Sequence, residues 1–444
     1  MSFNTARTSV NSIGARDYSG LLFRGDASKL PGNPWAHMTH AVLAAVPGSG
    51  TAHVSAPHAD SRDLDVAADG TLVLGCDGGV YRRTSPRSAA GDWFSMNGNL
   101  QATEFHSVAY DANAHVVIGG AQDTGTPEEP GRDGLKWDSV STGDGGVVAV
   151  DDTSTPGFST RYSSYYDLGS FRRRVYDAGG VFQSEVSPAL SVIDGDPPEY
   201  QFYTPLRLNT VAPTRLIIGA ANGVYESFDQ GDTIAELVPN IRVNGSGPNP
   251  IAYGARGNPD VLYVGAGSQV FVRTAAPPAP LDLSVSYPGG SVRGVAVDPD
   301  RPDAAFAVDP ARVYRTADAG AGWDDVTGNL GALAPGTLRS VAYSTHAPGG
   351  VLVVGGDTGV FAAAGPAFNA WSRLGTGLPR VPVFHVEHDP ADKILLVGTL
   401  GRGAWTLKLA PPSTGAAPAV ASGTPALATP AAAPGTPAKP APQP

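Results

Sequence analysis

Short apolar runs recur from about residue 64 to residue 409. Each is closed by a Gly/Asp turn and followed by a second run that commonly opens Val-aromatic. Copies read TLVLGCDGGVYRR (71–83), TRLIIGAANGVYES (214–227), DVLYVGAGSQVFVR (260–273) and GVLVVGGDTGVFAA (350–363). Alternating runs of this length, punctuated by Gly, Asp, Asn and Pro, are strands and tight turns. First strands start near Leu64, Ser107, Val147, Leu206, Ile251, Val292, Leu338 and Val383. The spacing is about 46 residues, the length of a four-stranded propeller blade. The pattern therefore predicts an all-β chain folded as a single β-propeller of eight four-stranded blades. The alternative is seven, with one unit an insertion, and the third unit, longest and most irregular, is the suspect. The last unit, from Val383 to about Leu409, holds only three strands. A strand from the N-terminal region, within WAHMTHAVLAAV (35–46) or GTAHVSAP (50–57), is expected to complete it and so remove an exposed edge.

This divides the chain into an N-terminal extension (1–34), the propeller (35–409) and an Ala/Pro-rich tail (410–444) that reads as a disordered tail or linker. The tail serves either as a tether or as a solvated terminus. Many Gly and Pro and few charges, 16% of residues, suit a turn-rich β chain. The net charge of −11, without a basic patch interleaved with aromatics, argues against nucleic acid as a partner. A single cysteine, Cys76, leaves no intrachain disulfide and no Cys-based metal site. The sequence has no run of 18 apolar residues to span a membrane and no apolar segment near its start that reads as a Sec signal peptide.

TADAGAGW (316–323) matches the Asp-box pattern Ser/Thr-x-Asp-x-Gly-x-x-Trp, and SFDQGDTI (227–234) is a weaker copy. The Asp of such a box caps its own turn and the Trp packs between sheets, so Asp318 and Asp229 are read as structural. PHADSRDL (57–64), DGGVYRR (77–83), NGNL (97–100), GGAQDTGT (119–126), GDGGVVAVD (143–151) and GTLGRGAW (398–405) follow in this order. Together they resemble a bacterial family of BNR/Asp-box repeat propellers related to sortilin, photosystem II stability factors and xyloglucanase-type glycoside hydrolases. The resemblance implies a propeller, an extracellular or cell-surface location (cytoplasmic being the alternative) and carbohydrate chemistry. The Arg motif of sialidases is missing, since LLFRGD (21–26) departs from it.

In a propeller, the turns between second and third strands share a face with the loops between blades. That rule places Asp60, Asp77, Asp123 and Asp144 on one rim, with His58, Arg62, Glu104 and His106 beside them. Paired carboxylates there suit acid–base or nucleophilic work on a glycosidic bond. Asp oxygens with turn carbonyls suit Ca²⁺. Asp before Gly-Gly is also an ordinary turn. Tyr165, Tyr166 and Arg172 of an aromatic, basic third unit add candidate contacts to an acidic polysaccharide. His37/His40 and His385/His388 have i, i+3 spacing, but in strands such pairs point to opposite faces, against metal binding. Three uses stay open: recognition of a polysaccharide or protein, glycoside hydrolysis by paired carboxylates, and a scaffold tethered by its tail. Oligomeric state and bound metal are not readable from the residues.

Overall fold

A computed structural model describes residues 2–5, 19–29, 35–39 and 50–409, apart from 133, 135, 136, 142, 246 and 248. It is all-β, with strands gathered in small, largely antiparallel sheets. Seven of these sheets are blades: residues 105–139, 149–186, 206–239, 251–284, 294–325, 338–374 and 383–408, numbered 1 to 7 here. Their innermost strands pack side by side around an axis. Blade 7 (Val383–Asp389) closes directly onto blade 1 (Phe105–Asp111). The innermost strands are mostly apolar or small, as strands buried between neighbours must be, with Arg207, His385 and Glu387 among the exceptions; Phe105–Asp111 is buried throughout. Blade 3 gains a fifth strand, Ser191–Asp194, lying parallel to its outer strand Thr233–Pro239.

Among the described residues the ring therefore has seven blades, and the unit outside it is the first, not the third. Residues 61–95 form a regular four-stranded sheet, but its first strand, Ser61–Val66, is mostly solvent-facing and stands apart from the ring. One face of this satellite sheet packs on the hairpin of Ser19–Gly25 and Trp35–His37, around Leu22, Met38, Leu74, Tyr81 and Trp93. The Trp93 indole N–H donates to the Met38 carbonyl at 2.8 Å.

The described N-terminal residues do not supply the expected closing strand. Among the described residues blade 7 keeps three strands, and the N-terminal strands pair with one another. Residues 40–46 of the first candidate segment lie outside the described residues, as does the 410–444 tail. No described helix is long and apolar enough to cross a membrane.

The Asp-box turns behave as their chemistry requires. Asp318 accepts from the Thr316 hydroxyl at 2.8 Å and the Gly322 N–H at 2.9 Å, while the Trp323 indole donates to Ser284 at 3.0 Å. Asp229 repeats this with Ser227 and Thr233. Both carboxylates are spent on their own turns.

Candidate functional site: an acidic cluster between the satellite sheet and blade 1

Two turn motifs interlock on each side of the junction. In the satellite sheet, Gly78 sits where a Cβ would fall 2.5 Å from the His58 Cβ, so the Asp77 turn folds tightly over the 57–60 segment. In blade 1, the loop carrying Asp144 lies on the 119–126 hairpin. The Gly145 N–H donates to the Ala121 carbonyl at 2.9 Å, and a Cβ at Gly145 would strike the Gly125 carbonyl. Glycine is thus required for close backbone approach in the GDGG run. Asp60 and Asp123 adopt left-handed backbone angles, φ 56° and 57°, which Asp tolerates better than most residues. His58 crosses the junction: it is almost fully buried, and its Nε2 meets the Asp123 carbonyl at 2.6 Å.

These contacts gather the four predicted carboxylates. One oxygen each from Asp60, Asp77 and Asp123 lies within 4.8 Å of the others. Asp144 joins through Asp123, whose backbone N–H donates to its Oδ1 at 3.1 Å. The Gln122 amide donates to both Asp144 and Asp123. Arg62 forms a fork on Asp77, with Nε and a terminal nitrogen at 2.7 and 2.8 Å from its two oxygens. Asp123 is pushed up to about 7, by burial first and then by hydrogen bonding to Asp77 and the charge of Asp144. The cluster therefore holds a proton near neutral pH and can donate as well as accept.

The other expected residues divide. Glu104 is exposed beside the cluster, and its carbonyl accepts the Gln122 N–H at 2.9 Å. His106 is buried and donates to the Gly145 carbonyl at 2.8 Å; burial lowers its pKa to about 4, so it is a neutral positioning residue. His58 is likewise a strut. Tyr165 packs its ring against Gly143. Tyr166 is 42% exposed and stacks on Phe202 with centroids 5.3 Å apart and planes 8° from parallel. Its N–H donates to the Asp144 carbonyl at 3.3 Å, which joins this aromatic platform to the cluster. Arg172 lies farther along the rim, bound to the Ser170 carbonyl at 3.1 Å. Most other aromatic and basic residues of blade 2 serve packing: Tyr162 is fully buried, and Arg161 lies 3.9 Å over the Tyr176 ring.

Sequence reasoning passed over Gln122 and Phe202. Gln122 stands beside Asp123 in the motif. Phe202 lies in the aromatic run EYQFY at 199–203, which gives no sign in sequence that it faces Tyr166.

The spacing of Asp60, Asp77 and Asp123 is one a Ca²⁺ ion could bridge, since each Ca–O contact is about 2.3–2.6 Å. Such an ion would have to take Asp77 from Arg62 and displace the proton on Asp123.

No family model and no curated protein matches this chain. Among solved structures, the chain is similar to the GH74 xyloglucanase from Xanthomonas campestris, with a TM-score of 0.55 and 15% identity. The match covers 87% of this chain and 55% of that one, so the chain spans about half the length of the enzyme. At this identity the likeness shows a shared β-propeller fold.

Proposed function

We propose that this protein recognises a polysaccharide along the rim where the satellite sheet meets blades 1 and 2. The observation that carries the reading is the pairing of the exposed Tyr166–Phe202 stack with the clustered carboxylates of Asp77, Asp123 and Asp144, among which Asp123 is pushed up to about 7. A sugar ring offers C–H groups to an aromatic face, whose π cloud is negative. Its hydroxyls donate to carboxylates and accept from Arg62 and from protonated Asp123. The likeness to a xyloglucanase is consistent with a carbohydrate ligand and goes no further.

One observation favours a second reading, glycoside hydrolysis. A carboxyl that keeps its proton to about pH 7, beside carboxylates that can act as nucleophile, is the arrangement of a general acid pair. Oxygens within 4.8 Å fall short of the roughly 6.5–9.5 Å of inverting enzymes and lie nearer the roughly 5–5.5 Å of retaining ones, so the pair would be Asp123 as acid with Asp60 as nucleophile, Asp77 being hydrogen-bonded to Asp123 and held by Arg62.

A single panel of β-glucan, xyloglucan and acidic polysaccharides, assayed for binding and released sugar, tests both. Recognition predicts binding that Tyr166→Ala and Phe202→Ala weaken about tenfold. Hydrolysis adds released sugar that Asp123→Asn abolishes while binding persists. A wild-type protein that binds none of them overturns the proposal and returns the weight to a scaffold role.

A further inference from the structure

The ring encloses a second polar site, separate from the rim. The innermost strands wall a cavity of about 400 Å³ along the axis. At the acidic-cluster end the axis is obstructed. His106 packs on Tyr203 (4.5 Å between centroids) and Tyr203 on Phe384 (5.6 Å), drawing residues of blades 1 and 7 and the entry to blade 3 together. Asn249 reaches past blade 5 to donate to the Val341 carbonyl of blade 6 at 2.9 Å. The innermost strands run away from that end, so Asp152 and Asp389, at or just past their ends, mark the opposite mouth.

Inside, among the described residues, two buried polar atoms lack hydrogen-bond partners and two charged groups are only loosely paired. His385 is 3% exposed. Its Nδ1 accepts the Val108 N–H at 3.0 Å, which leaves the proton of the neutral ring on Nε2. Burial lowers its pKa to about 3, so the ring is neutral. That Nε2–H has no hydrogen-bond partner, the nearest carboxylate oxygen being that of Glu387 at 3.8 Å. Asn249 Oδ1 is a second buried atom on this wall without a partner. Glu387, two residues along the same face of the strand, has only loose ion contacts, with Arg207 at 3.7 Å and His385. Burial raises the pKa of Glu387, Asp152 and Asp389, the last to about 6, and Asp152 adds to the rise in the other two. Each buried donor or acceptor left unsatisfied costs about 1–3 kcal/mol, which applies to His385 Nε2 and Asn249 Oδ1; Arg207 and Glu387, 31% and 25% exposed, instead present loosely paired charges to the channel itself. Apolar side chains such as Leu206, Ile251 and Val295 separate these groups.

We infer that this channel binds a small polyhydroxy molecule, a free monosaccharide or a polyol, entering from the mouth opposite the acidic cluster and held by Arg207, His385 and Glu387. Hydroxyl groups suit the set because each can accept from His385 Nε2–H or Arg207 while donating to Glu387 or Asn249 Oδ1. A cavity of this size falls in the range of small-ligand sites, and its apolar patches suit ring C–H groups.

The test is calorimetric titration of the full chain with D-glucose, D-xylose and myo-inositol, with glycine and glutamate as zwitterionic comparisons. At least one polyol is expected to bind, with Kd raised tenfold or more by Glu387→Gln, which keeps side-chain shape. Arg207→Met is expected to do the same and stands in should Glu387→Gln fail to fold. A wild-type chain that takes up none of the three polyols overturns the inference, leaving the cavity to water. Binding of the zwitterions alone also overturns it. So does polyol binding that survives both substitutions, or that is lost in Tyr166→Ala, which would place the sugar on the outer rim.

Discussion

The satellite sheet and blade 4 share one grammar and end in opposite environments. Both run through four antiparallel strands with a Gly-centred turn between the second and third. In blade 4 the innermost strand, Ile251–Ala255, is buried at every position. In the satellite sheet the equivalent Ser61–Val66 leaves Leu64 49% and Val66 61% exposed. A blade pattern therefore specifies a twisted four-stranded sheet and no more. Membership of the ring is decided by whether the first strand can be buried on both faces. SRDLDV cannot, because Arg62, Asp63 and Asp65 occupy positions where IAYGA carries small or apolar groups.

The largest way to break this contrast lies in the ion cluster beside blade 4. Glu226 of blade 3 receives both terminal nitrogens of Arg273, at 2.7 and 2.9 Å, together with Tyr253 and Arg215, and these pull its pKa down against the effect of burial. Arg273 is essentially fully buried. Glu226→Ala would strand that charge and is expected to cost about 3–5 kcal/mol, read from the denaturation midpoint. A shift below about 1 kcal/mol would mean that the two blades are held by packing alone.

A smaller effect tests the comparison directly. Leu262→Ala in blade 4, at a position with no exposure, should cost about 2–5 kcal/mol, whereas Leu64→Ala should stay within about 0.5 kcal/mol. Equal losses from the two changes, measured in the same denaturant series, would show that the satellite strand is covered in solution.

The smallest concerns the junction itself. The folded-state pKa of Asp123, about 7, lies above its ordinary value of 3.8, so the folded chain keeps a proton the unfolded chain has lost. The stability this contributes should therefore be fully present below about pH 4 and decline as pH rises towards 7. Asp123→Asn should flatten that decline, by on the order of 1 kcal/mol after solvent screening. An unchanged pH profile of the unfolding midpoint would mean that the cluster carries its charge without sharing a proton.

Much of the site could be read from residue order, because hairpin alternation alone sends Asp60, Asp77, Asp123 and Asp144 to one rim. What the order hides is depth. His58 and His106 look like ligand-facing residues in loops, and both turn inward to hold carbonyls. Arg62 looks free for a ligand, yet it clasps Asp77. The blade count misled for a similar reason: spacing records the repeat and is blind to neighbours, and what sets Ser61–Val66 apart is charge on both faces, Arg62 on one and Asp63 and Asp65 on the other, where Val383–Asp389 keeps its carboxylates on one. The channel groups were less legible still. Arg207 and Glu387 sit in strands 180 residues apart in sequence, and only ring closure faces them towards each other.

That closure has a mechanical side. Among the described residues, no strand is exchanged between blades 7 and 1. Side chains lace the seam instead: Val108 N–H to His385, and Tyr110 and His115 both to Asp392 at 2.7 and 2.5 Å. Among the described residues the other six interfaces are likewise packed by side chains without a shared ladder, but each is also bridged by the continuous chain, which the seam lacks. Under tension, or in slow amide exchange, this ring should open first as a clasp between its seventh and first blades, with the other six interfaces still shut.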